Sequence, residues 1–291
     1  MKYSAPIVAI FLALLTACGS NVNGNEQKVD NYDSVLLPIT PPNAQRDTTF
    51  LLSNRFVSIL TTKEEIKGFI LCLPGWNFSR LDVCEKSAFC EKAIKQGFIL
   101  ILPEMEKSIY ASKSFSETRK DWLNFPQLSF VTDTLIPHLQ NVFGIFYQGM
   151  NNFVYGISTG GRGVGMLAIS TDSLFKAGAS LSGDFNQTID YKDNLMIGWY
   201  GSFSIYKERW ELDNPYFKAS KVMIPLYLAH GAKDKTVGSY QTQKFYEQLK
   251  KVNPKLNHVL HIKENAEHDY VFWNSETDAV LKFFGKYCKE E

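Results

Sequence analysis

The stretch "YGISTGGRGVG", Tyr155 to Gly165, decides how this chain is read. Five glycines crowd around one serine, Ser158, although glycine weakens the interiors of both helices and strands. Three readings compete: a flexible loop, a phosphate cradle, or a turn so tight that only glycine fits beside the serine. A cradle needs Gly-Lys-Ser/Thr after the glycines, and Arg162 does not substitute for that lysine. A flexible loop does not explain why the glycines continue into "GVGMLAIS", where close packing of a helix on a sheet does. The apolar run before Ser158 reads as a buried strand and the segment after it as a helix. Gly156-Ile157-Ser158-Thr159-Gly160 therefore fits G-x-S-x-G at a strand-to-helix elbow, which lifts a serine hydroxyl above the sheet. The glycines give clearance where neighbouring backbone comes too close for a Cβ.

The surrounding chain supplies a sheet for such an elbow. "GFILCLP" (68–74), "GFILILP" (97–103), "NNFVYGI" (151–157), "FKAGASLSG" (175–183) and "MIPLYLAHG" (223–231) are apolar runs, as expected of strands covered on both faces. "NHVLHIKE" (257–264) adds another strand, and "TTFLLS" and "RFVSILTT" read as an opening antiparallel pair joined at Asn54. Helical patterns fall at 81–96, 129–143, 161–170, 239–252 and 274–287, the last with Asn274 or Ser275 as its expected cap. The alternation predicts an α/β fold with a mainly parallel central sheet flanked by helices on both faces. Ligands in such folds sit at the carboxyl ends of the strands.

At 291 residues and 45% hydrophobic, the chain is long and apolar enough for one large core. Its formal charge of +1, with acids and bases intermixed, gives no basic stripe for a nucleic-acid partner. Residues 1–17 read as a signal peptide: Lys2 is followed by the apolar stretch Ile7 to Leu15, too short for the ~20 residues of a spanning helix. The stretch ends in "LTAC", which resembles the lipobox of bacterial lipoproteins and makes Cys18 the expected lipidation site. Residues 18–45 are then the lipidated cysteine and a tether, and 46–291 the folded domain. The expected location is the cell envelope, with the membrane reached through the lipid on Cys18; Gly19 after the cysteine favours the outer membrane. Cys84 and Cys90 are close enough in sequence to pair, but a continuous helix would turn them to different faces, so a disulfide is not expected.

A serine hydroxyl needs a base to take its proton and an acid to orient that base. At an elbow of this kind the chain order is serine, acid, histidine. Asp234 lies just past the strand "PLYLAHG", and Asp184, after "SLSG", competes with it. Among the histidines beyond Asp234, His258 and His261 belong to a strand pattern, whereas His268 lies in the polar loop of "ENAEHDYVFW". Asp269, next to His268, points elsewhere on the neighbour rule. His230 and His138 read as packing residues. Backbone donors for an oxyanion are expected at Thr159 N–H and at Trp76 N–H in "CLPGWNFS", with Gly75 or Asn77 as the alternatives to Trp76.

"GISTGGRGVGMLAISTDSLFKAGASLSGDF", "DNPYFKA" and "EHDYVFW…LKFF" together resemble the α/β-hydrolase superfamily. More narrowly they resemble the branch with esterase D, S-formylglutathione hydrolase relatives, feruloyl and acetylxylan esterases and mycolyltransferases. "HGAKDKTV" is similar to prolyl-oligopeptidase-like and dienelactone-hydrolase-like relatives. The resemblance spans about residues 65–287, and to one side of its oxyanion glycine Pro74 stands where many relatives have histidine. It implies Ser158 as nucleophile, Asp234 as acid, His268 as base, and no metal or organic cofactor.

The expected function is hydrolysis of carboxylic esters, with small-molecule or glycan-linked acyl esters as substrates. The alternatives are a peptidase with the same machinery, and a lipid-anchored binding protein that kept the fold without catalysis. Trp199, Tyr200 and Trp210, in "LMIGWYGSFSIYKERW" (195–210), are the expected substrate-stacking aromatics, although they equally suit the core of a helical insertion. The loop 104–125 is a candidate second wall.

Overall fold

The computed structural model describes residues 47–171 and 173–288. The leader, Cys18 and the tether lie outside the described residues. The opening hairpin forms as its β-rich pattern requires, with β1 (Thr48–Leu52) and β2 (Arg55–Leu60) joined through Ser53 and Asn54, both at positive φ. The apolar runs become β3 (Gly68–Leu73), β4 (Phe98–Pro103), β5 (Asn152–Ile157), β6 (Ala177–Leu181) and β7 (Leu226–Gly231); β8 (Val259–Lys263) completes the strands. They make one eight-stranded sheet in the order β1-β2-β4-β3-β5-β6-β7-β8. Only β1–β2 and β2–β4 are antiparallel. This is the mainly parallel α/β sheet that the alternation implied, in the α/β-hydrolase fold that the resemblance implied.

Successive residues of a strand face opposite sides, so the sheet divides its apolar residues between two layers. Leu71, Ile101 and Val154 enter one core, which α3 (Ile136–Phe143), α4 (Thr159–Ser170) and α7 (Tyr240–Val252) cover. Cys72, Leu100 and Tyr155 enter the other, against α1 (Asp82–Glu85), α2 (Phe89–Lys95), α8 (Tyr270–Ser275) and α9 (Thr277–Gly285). Phe98, Phe153 and Phe284 are almost fully buried there, each side chain contributing about 1.5–3 kcal/mol by leaving water. Two short helices, α5 (Asn194–Tyr200) and α6 (Lys207–Leu212), interrupt the chain between β6 and β7 and gather a third apolar cluster. Among the described residues no helix is long and apolar enough to cross a membrane.

Two local expectations are corrected. The helix expected over 81–96 breaks into α1 and α2, because Ala88 N–H donates to Asn274 Oδ1 at 2.8 Å and Ser87 Oγ turns back to Val83 O. The break brings the Cα atoms of Cys84 and Cys90 to 5.0 Å, and the two cysteines form a disulfide. At the end of the chain, helix begins earlier than the pattern suggested: Asp269 caps α8 by accepting from Phe272 N–H at 2.9 Å. Asn274 and Ser275 therefore lie inside α8 rather than capping the last helix.

Closing so short a loop removes about 2 kcal/mol of unfolded-chain entropy. The double variant Cys84→Ser/Cys90→Ser should therefore melt about 4–8 °C lower than the wild type in a thermal scan without reductant. With dithiothreitol present, the difference should shrink.

Candidate active site

Ser158 closes β5 and opens α4 with φ 55° and ψ −125°, a conformation that costs a non-glycine residue about 1–3 kcal/mol. Two glycines make the turn possible. A Cβ on Gly156 would lie 2.1 Å from Gly160 O, and one on Gly160 would lie 2.1 Å from Leu73 O, so neither position admits a side chain. Ser158 N–H donates to Leu181 O at 2.9 Å, which pins the elbow to the end of β6.

Three side chains expected to act together meet above the sheet. His268 Nε2 lies 2.9 Å from Ser158 Oγ, and His268 Nδ1 lies 2.6 Å from Asp234 Oδ2. Asp234 is fixed by the turn that follows β7: Thr236 N–H and Val237 N–H both donate to its Oδ1 at 2.8 Å. His230, fully buried, reaches the same carboxylate, with Nε2 3.2 Å from Asp234 Oδ2. Its other contacts, Thr242 Oγ1 at 2.7 Å and Val237 O at 2.9 Å, are those of a packing residue. Burial alone would raise the Asp234 carboxyl, but its hydrogen bonds to His230, His268 and Val237 N–H outweigh that and hold it well below the ordinary carboxylate range. The competing groups are engaged elsewhere. Asp269 caps α8, His261 Nδ1 meets Glu276 at 2.7 Å, and His258 Nδ1 accepts from Leu226 N–H at 3.2 Å.

The loop after β3 passes over the same serine. A Cβ on Gly75 would come within 3.1 Å of Ser158 Cβ. Asn77 N–H is already spent on Glu106 O at 2.8 Å, which removes it from the candidate oxyanion donors. Trp76 N–H and Thr159 N–H have no acceptor among the described residues.

The sequence pattern of the prolyl oligopeptidase family matches residues 137–291, more than half of the chain, and holds Ser158, Asp234 and His268. The chain belongs to the prolyl oligopeptidase family. By that membership it is a serine hydrolase. No curated relative matches the sequence. Solved structures share the fold at low identity. S-formylglutathione hydrolase from Agrobacterium tumefaciens is 15% identical with a TM-score of 0.65, over 84% of this chain and 94% of that one. The fluorophosphonate-binding serine hydrolase F of Staphylococcus aureus is 16% identical with a TM-score of 0.64, over 84% and 98%. The acylaminoacyl peptidase of Pyrococcus horikoshii is 17% identical with a TM-score of 0.62; the match spans 84% of this chain but 42% of the peptidase.

In this family member Ser158, Asp234 and His268 border a cleft of about 810 Å³. Trp76, Phe78, Leu195, Met196 and Val237 line it together with Asp184, Gln187, Asp190 and Gln241. The aromatics expected to stack on substrate do not line it. Trp199, Tyr200 and Trp210 are at most 1% exposed and are tied inward: Trp199 Nε1 donates to Lys113 O, Tyr200 OH to Asp213 Oδ2 and Trp210 Nε1 to Gly201 O, each at 3.0 Å. They are the core of the α5–α6 insertion. The loop 104–125 likewise packs behind the cleft, where Trp122 meets the edge of Trp76 at 4.8 Å. The lining segments 184–193 and 236–241 carry no motif that sequence reading could have recognised.

Asp184, the rival acid, borders this cleft 3.8 Å from Arg162 Nη1, while His268 Nδ1 pairs with Asp234 instead. Burial pushes its carboxyl up to about 7, against the pull of Arg162. A raised value means that the unfolded chain releases this proton first, so stability falls as pH rises from about 4 to about 7. Asp184→Asn stays neutral and removes that decline. Its melting temperature relative to wild type should rise between pH 5 and pH 8; a constant difference would contradict the assignment.

Proposed function

We propose that the chain is an ester hydrolase in which Ser158 is the nucleophile, His268 the general base and Asp234 the acid that orients it. The observation that carries this reading is the unbroken run of hydrogen bonds from Ser158 Oγ through both ring nitrogens of His268 to Asp234. Ser158 Oγ attacks the acyl carbon while its proton passes to His268 Nε2, and the carbonyl electron pair moves onto oxygen. Thr159 N–H and Trp76 N–H receive that oxyanion. The imidazolium then protonates the leaving alcohol, and water, deprotonated by His268, releases the acid from the acyl-enzyme.

Acyl groups borne on polar alcohols, including carbohydrates, are supported by a cleft that sets Asp184, Gln187, Asp190 and Gln241 beside apolar Trp76, Phe78, Leu195 and Met196. Export with a lipid on Cys18 is part of the same proposal, supported by "LTAC" and by a disulfide, which persists in oxidising compartments. A second reading, amide hydrolysis, is favoured by membership of the prolyl oligopeptidase family.

The test is turnover of p-nitrophenyl acetate, butyrate and octanoate beside alanine and proline p-nitroanilides by the full chain. Ester turnover should exceed anilide turnover, and Ser158→Ala should lose at least ~10³-fold. Asp234→Asn should lose ~10³–10⁴-fold in kcat, because the wrong histidine tautomer is then held. Faster cleavage of the anilides would put the peptidase reading first. Equal inactivity of wild type and Ser158→Ala on every substrate would favour the binding-protein alternative.

A further inference from the structure

Thr159 is 5% exposed and borders the cleft, yet its Oγ1 has no hydrogen-bond partner among the described residues. At the other end of the same helix two hydroxyls turn back to the carbonyl four residues earlier. Ser170 Oγ donates to Met166 O at 2.8 Å and Thr171 Oγ1 to Leu167 O at 2.7 Å. Thr159 has no such recourse. It is the first residue of α4, and four residues back lies Tyr155, in the middle of β5, whose backbone belongs to the sheet. A buried hydroxyl left unpaired costs about 1–3 kcal/mol, which an apolar side chain of the same shape would avoid. The cost has a use if the partner arrives with the substrate.

We propose that the Thr159 hydroxyl is an additional donor to the oxyanion, acting beside the N–H of its own residue. This rests on Ser158 being the nucleophile. When Ser158 Oγ bonds to the acyl carbon and its proton moves to His268 Nε2, the former carbonyl oxygen gains a full electron pair. The Thr159 O–H donates to that oxygen and loses no proton in doing so. Its contribution is small in the ground state and grows as charge develops, so it lowers the barrier rather than tightening substrate binding.

The experiment compares Thr159→Val, Thr159→Ser and wild type in the full chain on p-nitrophenyl butyrate, with phenylboronic acid as a tetrahedral probe of the Ser158 adduct. Thr159→Val, which keeps the shape, should lose about 10–100-fold in kcat/KM and weaken phenylboronic acid inhibition by a similar factor. Thr159→Ser should stay within about threefold of wild type in both. Thr159→Val should also melt no lower than wild type, since it removes an unpaired buried hydroxyl. Retention of kcat/KM by Thr159→Val within about twofold, or equal losses in the valine and serine variants, overturns the proposal. If the valine variant does not fold, Thr159→Ala against Thr159→Ser reads the same contrast. Wild-type activity in Ser158→Ala has a different meaning, because it removes the nucleophile reading itself.

Discussion

The backbone of Ser158, held at φ 55°, is the constraint on which the rest of the structure depends. A serine left to itself does not stay there, and about 1–3 kcal/mol must come from elsewhere to keep it. The hydrogen bond from Ser158 N–H to Leu181 O supplies part, and so does the helix that must start at once after the turn. Both require a sheet whose neighbouring strand ends level with β5, and register provides it: Ile157 pairs with Leu181. The elbow is thus a product of the whole sheet, while the sequence around it only removes the side chains that would collide.

The base and its carboxylate are 110 and 76 residues beyond the serine in sequence, counting from 158 to 268 and to 234, yet they need no long-range device to reach it. Asp234 follows the end of β7, and His268 follows β8. In a parallel sheet these ends lie on one edge, so chain segments far apart in sequence converge by topology alone. Fine placement is then local. Two N–H groups of the next turn orient Asp234, and the edge of Trp273 packs at 5.1 Å against His268.

Whatever depends on strand periodicity and turn chemistry was legible in the sequence: the parallel sheet, the elbow, and the loops that carry Asp234 and His268. These features are written into contiguous residues. What depended on side chains from distant segments was not. The break between α1 and α2 needs Asn274, 186 residues from Ala88, and without it the cysteine pair reads as out of phase. Trp199, Tyr200 and Trp210 are as suitable for a binding wall as for a core; only their inward hydrogen bonds to Lys113, Asp213 and Gly201 decide which. Apolar and aromatic composition reports that a surface will be buried and does not say by what. The same limit hid part of the cleft lining, where Gln241 bonds to Asn186 and Asp190 across some fifty residues of sequence.

Arg162 stands where a phosphate cradle would need lysine. Its side chain, wholly buried, instead joins three segments: it donates to Ile109 O at 3.0 Å, to Tyr200 OH at 3.2 Å and to Asp213 O. The helix that begins at the serine is thereby bolted to the insertion behind the cleft. A lid that swings on such an attachment would have to break several charge-assisted hydrogen bonds in a dry interior, each worth more than a neutral one. This insertion behaves as masonry rather than as a door.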